Sequence, residues 1–344
     1  MSSDRMTRPQ APRPASMLDV ARLAGVSGQT VSRVTNGSEA VAADTRERVL
    51  AAMRTLGYRP NSAARALKSG RFQSIGVLMF SLENFGPVHV LEGVSNAATA
   101  RDYSLDLVTI GDPSTGEITK ALERLDQERV DGIVIVLEAH QILEHAIRFP
   151  TRIPSILVDS QQYDDRVSVN ADQAQGAELA VRHLLELGHP TVWHVSGPVH
   201  RMNAASDRQL AWRRLLEAEG RPVPPPVLGD WSAESGYRAG LRLARDPSVT
   251  AVFAANDQMA LGLMRALHEC GRRVPDEVSV VGFDDSPDAA YYWPPLTTVR
   301  EDFRAVGALA IELLLEAIDG ERHEPGLRAL PNTLIVRDST APYR

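Results

Sequence analysis

Apolar and polar positions change rhythm once along this chain. Between residues 17 and 57 apolar side chains recur at three- and four-residue spacing with no strand-like alternation, which predicts three short helices. Residues 58–72 are polar and basic and read as a linker with a helical turn or two. From Ser74 onward short β-type apolar runs alternate with helical stretches. The runs are Ile75–Phe80, Leu105–Ile110, Gly132–Leu137, Ile156–Val158, Thr191–Val195, Ala251–Ala255 and Val278–Gly282. Such alternation predicts parallel sheets with helices on both faces. Strands so numerous, spread over so long a stretch, suit two lobes better than one wide sheet. Near the end Val306, Leu309, Ala310, Leu313, Leu314, Ala317 and Ile318 recur at helical spacing. There is no internal repeat, and Pro222–Pro226 is the one low-complexity stretch.

Local signals sharpen the first of these regions. Ser16 is placed to accept from the free amides of a first helix, and Asp19 lies in its first turn, where a negative charge is favourable. Val20, Ala21 and Ala24 give that helix an apolar face. Gly25 can take the left-handed conformation that ends it, and Ser27 can cap a second helix over Gly28–Val34. Two short helices joined by a glycine turn form a helix-turn-helix, whose second helix enters the major groove of DNA. Its outward residues include Gln29, Thr30, Ser32 and Arg33. Glutamine matches adenine and arginine matches guanine in bidentate geometry, whereas Gly28 offers a base edge nothing.

Charge supports this division. The chain has 344 residues and a net charge of −7, which by itself argues against nucleic acid. Residues 1–70, however, hold 11 basic against 5 acidic residues, a basic head on an acidic remainder. Lys68 and Lys120 are the only lysines, so an arginine in the head is not distinctive for being arginine. Residues 1–15 are polar and carry Pro9, Pro12 and Pro14. They read as a disordered arm and not as a signal peptide. No run of 18 apolar residues exists to span a membrane. The single cysteine, Cys270, excludes an intramolecular disulfide and fits a cytoplasmic location.

The residue order itself carries a resemblance. Leu18-Asp19-Val20-Ala21-Arg22-Leu23-Ala24-Gly25-Val26-Ser27-Gly28-Gln29-Thr30-Val31-Ser32-Arg33-Val34 resembles the head of the lactose-repressor (LacI/GalR) family. So do Thr45-Arg46-Glu47-Arg48-Val49 and Leu56-Gly57-Tyr58-Arg59-Pro60-Asn61. The resemblance implies DNA contacts from Leu18, Ser27, Gly28, Gln29, Thr30, Ser32, Arg33, Asn36 and Tyr58. It also implies a hinge helix over Asn61 to Lys68 that contacts DNA through Asn61, Ala64 and Leu67, with Leu67 wedged into the minor groove. One position departs from the family: Ala42 stands where a Ser or Thr usually caps the third helix. A lost cap costs about 1 kcal/mol, partly offset by Asp44 near that helix start, so a softer head is expected.

Beyond the head no enzyme signature is found: no Gly-x-Ser-x-Gly elbow, no phosphate loop, no Gly-x-Gly-x-x-Gly. The histidines are scattered, and the five-residue spacing of His140 and His145 is poor for one helix face, so no metal site is expected. Polar residues instead sit where strands end, the position at which open α/β sheets hold ligands. Asp159 follows one strand, Asn256 and Asp257 another, Asp284 and Asp285 a third. Carboxylates and amides there suit sugar hydroxyls, and Trp231 or Phe303 suits the apolar face of a sugar ring. Asp257 precedes a helix and either caps it or supports the site. Asp284 and Asp285, adjacent on a strand, point apart and make a poor glycosidase pair.

The stretches Gly229–Gly236, Ala255–Gly262, Ser279–Asp285 and Pro294–Val299, followed by Asp302-Phe303, are similar to the effector-binding domain of the same family. Similarity therefore runs from Met17 to a C-terminal strand near Val336, and within the family it is closest to the member that gives the family its name. It implies an all-α helix-turn-helix head plus an α/β two-lobed, periplasmic-binding-protein-like domain, two parallel sheets with helices on both faces. The expected divisions are head 16–60, hinge or linker 61–73 and ligand-binding and dimerisation domain 74–340. Within that domain the N-lobe is 74–170 with 303–332 and the C-lobe 171–300. Asp159, Arg208, Asn256 and Asp284 would hydrogen-bond a sugar between walls of Trp231 and Phe303, with Arg201 the alternative to Arg208. Asn84 to Pro87, which diverge from the relative, would face the aglycone. No cofactor is expected. The resulting expectation is a homodimeric repressor of carbohydrate-metabolism genes, bound to a pseudo-palindromic operator and released by a sugar inducer, a β-galactoside first. The alternatives are a corepressor-dependent regulator and a transport-type sugar-binding protein. The chain ends at Arg344 without leucine heptads, so a dimer is expected and not a tetramer.

Overall fold

The computed structural model describes residues 15–35, 38, 40–58, 70–80, 82, 84–111, 115–136, 153–158, 166–199 and 203–344, in two compact units divided between Phe72 and Gln73. The expected arm through residue 14, Asn36, the hinge residues Asn61, Ala64 and Leu67, and Asp159, Arg201, His140 and His145 lie outside the described residues.

The head holds α1 (Met17–Ala24), α2 (Gly28–Thr35) and α3 (Ala43–Leu56). Ser16 and Asp19 form a reciprocal capping box: the Asp19 amide donates to Ser16 Oγ at 3.3 Å, and the Ser16 amide to Asp19 Oδ2 at 2.9 Å. Gly25 ends α1 with φ +66°, and Ser27 Oγ accepts the Thr30 amide at 3.1 Å at the start of α2. At α3 the capping residue Ala42 makes no side-chain hydrogen bond to the helix, and Asp44 is the one acidic residue of its first turn. The core is small and aliphatic: Val20, Ala21, Ala24, Val31, Val34, Val49 and Ala52.

In the body, β1 (Ser74–Met79), α4 (Phe85–Thr99), β2 (Ser104–Thr109), α5 (Thr115–Gln127), β3 (Gly132–Val136), β4 (Ser155–Val158) and β5 (Val167–Ala171) build a first lobe. The second lobe runs through α6 (Gln173–Glu186), β6 (Trp193–Ser196), α7 (Asn203–Ala218), β7 (Val227–Leu228), α8 (Ala233–Leu243), β8 (Ala251–Ala254), α9 (Asp257–Glu269), β9 (Ser279–Asp284) and β10 (Thr297–Arg300). The chain then returns to the first lobe as α10 (Phe303–Ile318) and β11 (Gly326–Leu330), and to the second as β12 (Thr333–Ile335). It thus passes between the sheets at three places.

The sheet orders are β2-β1-β3-β4-β5-β11 and β7-β6-β8-β9-β10-β12. Both are the doubly wound order 2-1-3-4-5 with a late strand added at one edge. Pairings among the described strands are parallel except β12 on β10. Each sheet is buried on both faces, which is why β1, β3, β8 and β9 read as continuous apolar runs. In the first lobe one face packs against α4 and α10 and the other around Ile118, Leu122 and Leu125 of α5. In the second, α8 and α9 cover one face while Ala177, Leu184, Trp212 and Leu216 of α6 and α7 cover the other.

The sequence pattern did not reveal β5, β7, β10 and β11. β7 is two residues long, and β11 alternates buried and exposed positions at a sheet edge. β10 is Thr-Thr-Val-Arg, polar in composition yet buried through Val299, because its hydroxyls are hydrogen-bonded: Thr298 Oγ1 donates to Asp257 at 2.6 Å, and Thr297 Oγ1 accepts the Arg337 amide at 2.9 Å.

Candidate effector cleft and DNA-reading surface

On the head, Leu18 is 70% exposed beside the exposed Ser27, Gln29 and Arg33, whereas Thr30 and Ser32 are half-buried. Leu18 is thus a large apolar side chain, mostly in water, next to polar residues at the start of α2. Gly28 has only the Leu18 methyl within 4 Å of where a β-carbon would stand, so the gap there is open. Tyr58 packs against the head core.

In the body, the carboxyl ends of the strands of both lobes face one cavity of about 350 Å³. Arg208, Trp231, Asn256, Asp284 and Phe303 all line it. They come from different elements: Arg208 from α7, Trp231 from the β7–α8 turn, Asn256 from the β8–α9 turn, Asp284 from the end of β9 and Phe303 from the start of α10. Asn84, Phe85, Gly86 and Pro87, expected on the aglycone side, line it too. The second lobe supplies Arg208, Asn256 and Asp284 together with the Trp231 indole, and the first supplies Asn84 and the rings of Phe85 and Phe303, which meet edge to face with centroids 5.9 Å apart.

Close helix packing sets part of this geometry. Gly236 of α8 and Gly262 of α9 let the two backbones touch, since a β-carbon on Gly262 would overlap the Ala233 carbonyl. That contact brings together the helix starts that follow Trp231 and Asn256. Asn256, and not Asp257, caps α9: its Oδ1 accepts the Met259 amide at 2.9 Å. Its Nδ2 donates to the Trp231 carbonyl at 3.0 Å and to Gln258 Oε1 at 2.9 Å, so Asn256 also holds the indole's backbone. Trp231 itself has φ +75°, and Gly197 leaves room for the ring, because a β-carbon there would stand 2.5 Å from it.

Arg208 is the buried centre of the polar side, 4% exposed. Its Nε donates to Gln173 Oε1 at 2.7 Å, Nη1 to the Ala255 carbonyl, and Nη2 to Glu301 Oε1 at 3.2 Å; Asp284 Oδ1 lies 3.5 Å from Nη1. The guanidinium lies 3.6 Å from the centroid of the Phe283 ring. Burial pushes the Asp284 carboxyl well above its ordinary range, with Arg208 opposing, and pushes Glu301 upward for the same reason. Asp284 and Asp285 adopt φ +102° and +50°, and this bend sends them apart. Asp284 faces Arg208, while Asp285 pairs with Arg300 and Arg337 at 2.6 Å each. Asp257 is fully buried and accepts from Thr298 Oγ1 and the Ser286 amide; burial lifts its carboxyl to about 7. It therefore supports the strand ends and does not cap.

Gln173 and Glu301 escaped the sequence reading. Both lie where the chain passes between the lobes, Gln173 after β5 and Glu301 after β10, in polar stretches that read as surface. Asp230, Ser232 and Gln258, also on the cavity, adjoin the predicted Trp231 and Asn256. No group of residues suited to a metal ion is found among the described residues, and none of their helices is long and apolar enough to cross a membrane.

Residues 16–61 match the model of bacterial regulatory proteins of the lacI family, and residues 181–340 match a periplasmic binding protein-like domain. The lactose operon repressor of Escherichia coli (strain K12) is 36% identical over 331 residues, 95% of this chain and 91% of that protein. The HTH-type transcriptional repressor PurR of Vibrio cholerae serotype O1 is 34% identical over 339 residues, 94% of this chain and 98% of that protein. Among solved structures, the lac repressor dimer bound to operator and the anti-inducer ONPF has a TM-score of 0.82 at 34% identity, covering 96% of this chain and all of that one. The complex of the transcriptional regulator CelR with cellobiose has a TM-score of 0.71 at 31% identity, covering 94% and 99%. The chain belongs to the lacI family of bacterial regulatory proteins and is one of its DNA-binding transcriptional repressors.

Proposed function

We propose that this repressor acts on carbohydrate-metabolism genes and leaves its operator when a small sugar enters the body cleft, a β-galactoside being the first candidate. The observation that carries this reading is the cavity itself: a buried Arg208–Asp284 pair, the Trp231 ring centroid 5.7 Å from the Arg208 guanidinium, Phe303 from the other lobe, and a volume suited to a sugar. Arg208, Asp284 and Asp159 would bond hydroxyls, with Asn256 holding the indole in place. The CelR complex with cellobiose supports a sugar, whereas the similar identities to a lactose operon repressor and to PurR do not choose among effectors.

The head would read one half-site through Leu18, Ser27, Gln29, Thr30, Ser32 and Arg33, beside the gap at Gly28, with Asn36 and Tyr58 adjoining. A two-fold homodimer would read the palindrome. Tyr291 and Trp293, 87% and 93% exposed, offer the body an apolar surface for that pairing. Asn61, Ala64 and Leu67 would contact the operator centre, with Leu67 wedged into the minor groove. Coupling is reciprocal, so operator must weaken inducer binding by the factor by which inducer weakens operator binding.

Gel-shift release from the protein's own upstream DNA, across a panel of mono- and disaccharides, is the test. Release by one sugar supports induction, and tightening by one establishes a corepressor instead. If no sugar changes the shift, the effector reading falls. In the same assay Leu67→Ala should weaken operator binding and reduce the bend.

A further inference from the structure

Among the described residues on the cleft, the charged groups are Arg208, Asp230, Asp284 and Glu301. Asp284 and Glu301 are buried, 8% and 5% exposed. An arginine binds an anion when a pair of its N–H groups is open to accept it in a two-pronged grip. Here three of the five N–H groups are committed, Nε to Gln173, one on Nη1 to the Ala255 carbonyl beside Asp284 and one on Nη2 to Glu301, with the Phe283 ring close to the guanidinium. Glu301 is fixed by the backbone, because it lies in the short passage from β10 to α10. A ligand carrying a negative charge would meet the buried Glu301 acid beside Asp284, and a guanidinium whose charge is already shared with them. Repulsion between like charges about 4–8 Å apart in a partly buried site amounts to ten-fold or more in affinity. A hydroxyl, by contrast, can donate to either carboxylate without such cost.

We infer that Glu301 is a specificity-determining residue of the cleft: by occupying Arg208 it bars anionic sugars such as uronic acids and sugar phosphates, and makes the cleft a receptor for uncharged sugars. The inference rests on the cleft being the sugar site proposed above. It also assigns a purpose to a buried acid that a neutral glutamine would otherwise replace at lower desolvation cost.

Isothermal titration of the full chain with D-galactose and D-galacturonate, which differ by one carboxylate, tests it, using wild type and Glu301→Gln. Wild type should bind galacturonate at least about ten-fold more weakly than galactose, and the substitution should narrow that ratio by about ten-fold or more. Equal affinities in wild type, or a ratio that Glu301→Gln leaves unchanged, would overturn the inference. If neither hexose binds either protein, the galactoside reading has failed, and inorganic sulfate decides the present one. Sulfate raising the melting temperature of Glu301→Gln but not of wild type upholds it, and an equal response overturns it. Should Glu301→Gln fail to fold, the wild-type ratio of galactose to galacturonate, or its response to sulfate where neither hexose binds, decides alone.

Discussion

The head and the body place their functional atoms differently. In the head the fold rests on small buried aliphatics, Val20, Val31 and Val49 among them, while Leu18, Ser27, Gln29 and Arg33 stand exposed. In the body the groups that define the cleft, Arg208, Asp284 and Glu301, are themselves buried and hydrogen-bonded or ion-paired to one another. Apart from Ser27, whose Oγ also caps α2, recognition and stability are therefore carried by separate atoms in the head and by the same atoms in the body. Substitutions that change one property alone belong to the first region, and those that change both belong to the second.

Arg208→Met should test this contrast most severely. It leaves two buried carboxylates without their cation, which costs about 3–5 kcal/mol. The body's transition in a denaturant titration should move accordingly while the head's stays in place, and effector binding should vanish. An unmoved body transition would refute the shared role. Gln29→Ala should weaken operator binding by about 1–3 kcal/mol with no change in melting, measured by fluorescence anisotropy and circular dichroism. A fall in head stability of the same size would erase the distinction between the regions.

Asp257 sharpens the comparison through pH. Its carboxyl sits at about 7 in the folded body against 3.8 for the free group. Between those values the folded state keeps a proton that the unfolded state releases. Its contribution is thus fullest at acid pH and declines as pH rises through the window, becoming flat above about 7. Urea midpoints for wild type and Asp257→Asn should diverge in that sense between about pH 4 and 7, and parallel curves would dismiss the buried-acid account. The smallest effect belongs to the head: Ala42→Ser should supply the missing cap on α3 and add about 1 kcal/mol to its stability, with operator sequence preference unchanged.

The same contrast explains what the sequence disclosed. The head's determinants are contiguous, so capping residues, the glycine turn and the outward face of α2 could be read directly, and the capping boundaries follow from local chemistry. The body's strands were legible where both faces bury apolar runs, as in β1 and β9, and illegible where burial depends on a hydroxyl partner, as in β10. Within the cleft, Trp231, Asn256 and Asp284 announced themselves by following apolar strands or by their motifs. Glu301 did not. Its neighbours Arg300 and Asp302 look like surface, and only the passage between lobes explains why its side chain turns inward. Asp257 was ambiguous for a related reason: its partners Thr298 and Ser286 lie far along the chain.

The three passages between the sheets have a consequence for synthesis. The helix α10, which covers a face of the first sheet, and the edge strands β11 and β12 are all made after the second lobe's remaining elements. The first lobe is not a contiguous stretch and cannot close over its core while the ribosome is still translating the residues before Phe303, whereas the second lobe's buried clusters are complete by Val299 and lack only the edge strand β12. The head, by contrast, has its core residues in hand early. A nascent chain stalled near Arg300 would therefore carry a finished reader and an open, apolar first lobe, which makes that interval the point at which a chaperone has most to protect.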